Sequence, residues 1–203
     1  MTKWPLVGDL FAKGRAQGLC VWSDVTQGRI GYIRVTPFQK GSAMTTAPAQ
    51  TRIGHVHLKV ADLDRAIAFY GGVLGFAVMQ RLGNQAAFLS AGGYHHHIGL
   101  NTWESKGATP PPSGHTGLYH TAILYPDRKS LADVLKRVVG AGIALDGASD
   151  HGVSEALYLS DPDGNGVELY CDRAPQEWPR AADGSLAMTS LRLDVQALLA
   201  LAD

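Results

Sequence analysis

IGHVHLKVADLDRAIAFYGG, residues 53–72, alternates apolar and polar side chains and then changes period. Over residues 53–60, His55 and His57 fall on one face with Ile53 and Lys59, while Gly54, Val56, Leu58 and Val60 fall on the other. That is the pattern of a half-buried strand. Asp62 follows with N-cap chemistry. Leu63, Ile67, Phe69 and Tyr70 then make an apolar stripe at helical spacing, and the pair Gly71-Gly72 is expected to end the helix. FAVMQR, QAAFLS and GGYHHHIGLN read as three further strands. The stretch LYHTAILYPDRKSLADVLKRVVG, residues 118–140, repeats the design. His120 precedes Asp127 by seven residues, as His55 precedes Asp62, and each aspartate opens a helix. IALDG, EALYLSD and GVELYCD supply three more strands, with DPDGNG as the tight turn before the last.

The economical reading is α+β: two βαβββ modules, residues 51–103 and 117–173, joined by a loop around Pro110, Pro111 and Pro112. Together they make a domain over residues 51–176, expected to be a curved mixed sheet around a metal-centred cavity. Helices separated by three-strand runs argue against a Rossmann sheet, in which strand and helix alternate throughout. Residues 1–50 lack a sustained period, although GRIGYIRVT suits one short strand. Met44 stands just before the patterned region, so residues 1–43 are expected to be an upstream extension outside the native start. Residues 177–203 form a tail that ends in LRLDVQALLALAD, read as a terminal helix of no evident role.

Composition narrows the function classes. Among 203 residues, 45% are hydrophobic and 18% charged, which suits a folded chain. Lys plus Arg (18) balances Asp plus Glu (18), which gives no nucleic-acid footprint. No uninterrupted apolar run has the length of a membrane span, and no signal-peptide pattern is present, so the cytoplasm is the expected location. Two cysteines, Cys20 and Cys171, are too few for a disulfide scaffold and are expected to be unpaired thiols. All eight histidines lie between His55 and His151. His55, His97, His120 and Glu168 stand near strand positions that a paired-module sheet brings together. Two imidazoles and a carboxylate are a set that holds a divalent metal while leaving positions open. Glu168 sits in the apolar run GVELY with no basic neighbour in its strand, a costly place for a carboxylate without a partner. In an unbroken strand His95 and His97 would share one face and His96 the other.

IGHVHLKVADLDRAIAFYGGVLGF, GLYHTAILYPDR and EALYLSDPDGNGVELY together resemble the vicinal oxygen chelate superfamily, which includes glyoxalase I, bleomycin-resistance proteins and type I extradiol dioxygenases. The resemblance spans residues 52–173 and is most similar to catechol 2,3-dioxygenase-like members. It implies that His55, His120 and Glu168 hold Fe(II), with Mn(II) second and Zn(II) or Ni(II) if the chemistry is lyase-like. It further implies His97 as acid/base, Tyr158 as a contact to substrate oxygen, and His151 as a stabiliser of oxygen charge. His97 stands where glyoxalase I carries a glutamate, which favours the oxygenase branch. A four-ligand set that includes His97 is the variant reading. The function implied is extradiol cleavage of a catechol-like vicinal diol with O2, in aromatic-compound catabolism, by a homodimer. A metal-dependent glyoxalase-like lyase or isomerase, and a non-catalytic aromatic-ligand or drug-binding protein, are the alternatives.

Overall fold

The computed structural model describes residues 19–24, 29–34 and 46–203. The chain divides into two units, Met1–Thr51 and Arg52–Asp203. In the first, β1 (Leu19–Asp24) pairs antiparallel with β2 (Arg29–Arg34), in register from Leu19↔Arg34 to Asp24↔Arg29. Met44, the expected native start, lies outside the described residues.

The second unit begins with β3 (Val56–Lys59), α1 (Leu63–Ile67), β4 (Ala77–Leu82), β5 (Ala86–Ser90) and β6 (Ile98–Asn101). The order then recurs as β7 (Thr121–Leu124), α2 (Arg128–Gly140), β8 (Gly147–Asp150), β9 (Ser154–Ser160) and β10 (Gly166–Asp172). Asp62 and Asp127 both act as N-caps, accepting from the backbone N–H of Arg65 at 3.0 Å and of Ser130 at 2.7 Å. Each carboxylate satisfies one of the four amide donors that a helix start leaves without a partner. The first helix does not stop at Gly71-Gly72. It widens into a π-helical turn over Ala68–Val73 and is ended by Gly75, whose φ of +89° is the left-handed geometry that a helix end requires.

The expectation of one curved sheet around a metal-centred cavity is corrected. The strands form two separate mixed sheets, β3-β6-β5-β4 and β11-β8-β9-β10-β7, where β11 is Leu191–Arg192. Among the described residues, no group of three or more His, Cys, Asp or Glu side chains is placed to hold a metal ion. In each half the first strand is an edge that runs parallel to the last strand and touches no other. The edges therefore end in the same unit without being joined to each other.

One apolar core nevertheless serves both halves. It takes Leu58, Val60, Leu63 and Phe69 from the first, and Leu131, Leu135, Leu157 and Leu169 from the second. On α2 the buried positions are Leu131, Ala132, Val134, Leu135 and Val138, one stripe at helical spacing. Polar ties cross the same seam. The Tyr70 hydroxyl donates to Asp161 Oδ2 at 3.0 Å, Arg137 Nε donates to the Val73 carbonyl at 2.9 Å, and Arg65 pairs with Asp163. Asp161 also accepts from the backbone N–H groups of Asp163 and Asn165 and from Asn165 Nδ2, which saturates a buried carboxylate. Burial, and then the Asp161 charge, push the Tyr70 hydroxyl's pKa upward.

The C-terminal α3 (Val195–Leu199) has only five residues and buries Leu198 against the core. Among the described residues no helix is long and apolar enough to cross a membrane. Tyr70→Phe should lower the unfolding free energy by about 2 kcal/mol, the usual worth of a buried hydrogen bond to a charged group. A urea midpoint unchanged from wild type would show that the seam does not depend on this bond.

Candidate functional site

The second sheet gathers four of the expected residues. Tyr158 on β9 lies directly opposite Glu168 on β10, and Glu168 is in register with Ala122 on β7. His120 stands one residue before β7. Its Nε2 lies 2.9 Å from Glu168 Oε2, while its Nδ1 is buried without a partner. This close approach depends on Gly166, where a Cβ would run into the Tyr119 carbonyl and crowd His120. On the other side of the carboxylate, the Tyr158 oxygen lies 3.2 Å from Glu168 Oε1 and 2.7 Å from His151 Nε2. His151 Nδ1 donates to the Thr189 carbonyl at 2.8 Å. The result is a continuous polar line: His120, Glu168, Tyr158, His151. Burial, followed by the charge of Glu168, raises the Tyr158 phenol to about 12, so it stays a neutral donor throughout the physiological range.

The first sheet gathers the others. His55 and His57 flank the start of β3, and His95, His96 and His97 form a loop ahead of β6 rather than part of its strand. The strict alternation expected for the three consecutive histidines therefore does not apply. The rings of His55 and His96 are 4.5 Å apart, and His95 Nδ1 lies 2.8 Å from His96 Nδ1. Phe88 packs on His96 with ring centroids 5.1 Å apart, and Trp103 packs on His57 at 5.5 Å. Desolvation, and then the charge of His55, hold His57 below the usual histidine value. Desolvation, and then the same charge, also lower His96. Both shifts favour the neutral imidazole, which offers a lone pair to a metal or a face to an aromatic ligand.

His97 is fixed through Nδ1, which receives the Ala91 backbone N–H at 3.3 Å and lies 3.1 Å from Ser90 Oγ. With Nδ1 accepting, a neutral His97 carries its hydrogen on Nε2 and presents it as a donor.

The six expected site residues thus fall into two groups. His120, Glu168, Tyr158 and His151 are together on one sheet, while His55 and His97 belong to the histidine cluster on the other. His55 does not join His120 and Glu168 within one chain, because no three such ligands converge among the described residues. Beside the histidine cluster, Trp103 is exposed and Phe88 half-buried. Thr189 had no readable signal, since it contributes only backbone to His151.

A metal can be tested against the His120–Glu168 pair. An imidazole nitrogen and a carboxylate oxygen in contact, with the other imidazole nitrogen buried and unpaired, suit a divalent ion as two of its donors. They do not form a complete set. An absorbance titration should show tyrosinates near pH 12 from Tyr125 and from Tyr158, and Tyr158→Phe removes the second. Glu168→Gln should move it down only partway toward 10, because burial is the larger cause. A Tyr158 midpoint at the free-phenol value would contradict the contact.

The sequence profile described as "Glyoxalase/Bleomycin resistance protein/Dioxygenase superfamily" matches residues 52–169. The chain is 45% identical over 156 residues to a catechol-2,3-dioxygenase of Bacillus subtilis, covering 77% of this chain and 54% of that protein. It therefore spans about half the length of that relative. It is also 34% identical over 137 residues to biphenyl-2,3-diol 1,2-dioxygenase 3 of Rhodococcus globerulus, covering 66% of this chain and 70% of the relative. Among solved structures, a glyoxalase/dioxygenase from Nostoc punctiforme superposes with a TM-score of 0.53 at 20% identity, over 65% of this chain and 99% of the other, a likeness of fold. With its profile match covering more than half of the chain and two βαβββ repeats beneath it, this protein belongs to the glyoxalase/bleomycin-resistance/dioxygenase superfamily, the vicinal oxygen chelate enzymes.

Proposed function

We propose that this protein is an extradiol-type dioxygenase that opens the ring of a catechol-like vicinal diol with O2. The observation that carries the reading is the line His120–Glu168–Tyr158–His151, with contacts of 2.9, 3.2 and 2.7 Å. The names of the two relatives described above, both diol dioxygenases, support it. His120 and Glu168 would hold Fe(II), or Mn(II) in second place, with His55 as the third ligand. Because His55 does not reach the pair within one chain, we assign it to a second copy, so that a homodimer completes each site. The histidine cluster on one sheet then faces the carboxylate line on the other. When bound, the metal supplies a Lewis acid that acidifies the diol hydroxyls and a redox centre for oxygen.

The chain's own residues do the rest. Tyr158, held neutral, contacts a substrate oxygen through its own oxygen, accepting from a diol hydroxyl, and orients the ring. His97, with its hydrogen on Nε2, donates it in a hydrogen bond to a substrate oxygen, the acid side of its acid/base role. His151, behind Tyr158, controls where the phenol's hydrogen points. Phe88 and Trp103, stacked on the histidine cluster, offer apolar faces to an aromatic ring.

With Fe(II) and a catechol-like diol, an oxygen electrode should record one O2 consumed per diol opened. His120→Ala or Glu168→Gln should reduce turnover by more than about 100-fold, exceeding the usual loss for an outer-shell change. His55→Ala and Glu168→Gln, each inactive alone, should complement when mixed. In a two-fold dimer with random exchange, half the dimers are mixed and each has one intact site, so about a quarter of wild-type turnover returns. Full turnover in His55→Ala would remove His55 from the site. Turnover without oxygen uptake would replace the dioxygenase reading with lyase chemistry.

A further inference from the structure

We propose that the C-terminal segment from Arg173 to Arg192 is a positioning strap that sets which nitrogen of His151 carries the hydrogen, and through it leaves Glu168 free to bind. The inference rests on the reading of His151 and Glu168 as site residues, but its first test does not require activity.

The strap leaves β10 and folds back on itself. Trp178 Nε1 donates to the Arg173 carbonyl at 2.9 Å, the Ala187 N–H donates to the Pro179 carbonyl at 2.9 Å, and a bridge joins Arg180 to Leu186. It then grips the loop that carries His151 from three sides. Pro179 packs on Gly152, where a Cβ would lie 2.8 Å from the proline ring and where φ is +73°, so only glycine fits without strain. The Thr189 N–H donates to the His151 carbonyl at 3.0 Å, and His151 Nδ1 donates to the Thr189 carbonyl at 2.8 Å. Leu191 and Arg192 pair with Asp150 and Ser149 at the sheet edge. From below, the Asp150 carboxylate accepts from Arg173 at 2.7 Å and from the Gly152 N–H at 2.8 Å. The three-residue connection 151–153 thus has its backbone fixed on both sides of one imidazole.

The chemical consequence follows from hydrogen counting. A carbonyl can only accept, so the Thr189 contact places a hydrogen on His151 Nδ1. In a neutral imidazole Nε2 is then a bare acceptor. Tyr158 has one hydroxyl hydrogen and two acceptors in reach, His151 Nε2 at 2.7 Å and Glu168 Oε1 at 3.2 Å. The shorter contact takes it. Oε1 of Glu168 is left without the hydroxyl hydrogen, and its lone pairs are available to a ligand. With the opposite tautomer, Nε2–H would donate to the Tyr158 oxygen. The phenol hydrogen would turn onto Glu168 and occupy the carboxylate that the site needs open. The strap touches neither substrate nor metal. It acts through His151.

The test is nitrogen-15 NMR of the histidines in the full chain, without metal or substrate, with His151 assigned by comparison with His151→Gln. The expected spectrum has His151 protonated at Nδ1 and bare at Nε2. Thr189 is exposed, and Thr189→Pro removes the N–H that clamps the His151 carbonyl without touching the core. It should populate both tautomers and, in the oxygen assay, lower kcat by about 10-fold while KM moves less than about twofold. Thr189→Ser, which keeps the backbone N–H, should return the wild-type spectrum. A wild-type His151 with its hydrogen on Nε2 overturns the proposal, as does Thr189→Pro with an unchanged tautomer and kcat. If the Nδ1–H tautomer is found but no diol is cleaved, the strap stands and the dioxygenase reading falls.

Discussion

The Asp161 carboxylate is buried at the turn that starts β10, and four donors meet on it: two backbone N–H groups and the Asn165 amide from its own turn, and the Tyr70 hydroxyl from the other half of the chain. A buried charge left partly unpaired would cost several kcal/mol, so the turn holds only if the first half is packed against it. The carboxylate line of the candidate site lies downstream of that constraint. Once the turn is set, β10 leaves it in one register, which places Glu168 across from Tyr158 and beside the strand that His120 precedes. A one-residue slip would send the carboxylate to the opposite face and into the core.

The two halves therefore share a core without sharing a sheet, and this division explains the site's composition. The carboxylate line belongs to the second half and the histidine cluster to the first. Each half ends in an edge strand, β3 or β7, that bears a histidine just before its first ladder residue. A chain that keeps these groups apart is poorly suited to complete a three-ligand site alone. A two-fold pair of chains can place one cluster against the other twice, which is the economy of a symmetric dimer.

Much of the architecture was legible because it is local. The period change after Val60 and the caps Asp62 and Asp127 are each read within a dozen residues, and the structure shows them where the pattern put them. Long-range features were harder. An edge strand has one partner, so β3 is ordered only where β6 runs beside it. That shortens the expected residues 53–60 to Val56–Lys59 and leaves His55 outside the ladder. His95 to His97 look like strand by composition but precede the first β5–β6–β3 pairing, so their alternation is lost. IALDG was read as a strand, yet the ladder forms four residues later at Gly147–Asp150, where the backbone can pair with both β9 and the tail. At the site, residue types named Glu168 and His120 and the family resemblance added Tyr158 and His151, but no spacing rule could tell that His55 stands apart from them. The role of the tail was illegible for a further reason: Thr189 acts with backbone atoms, which leave no trace in side-chain identity.

The central claim is the proposal that His120 and Glu168 are two of the three protein ligands of a metal site. The most direct measurement is metal content by elemental mass spectrometry after anaerobic purification and loading with Fe(II). The account predicts about one iron or manganese per chain, the stoichiometry of a single two-imidazole, one-carboxylate centre. It also predicts that this content is lost in Glu168→Gln and in His120→Ala. Protein that stays metal-free and refuses added Fe(II) would contradict it and would leave the polar line as a network internal to a ligand-binding fold.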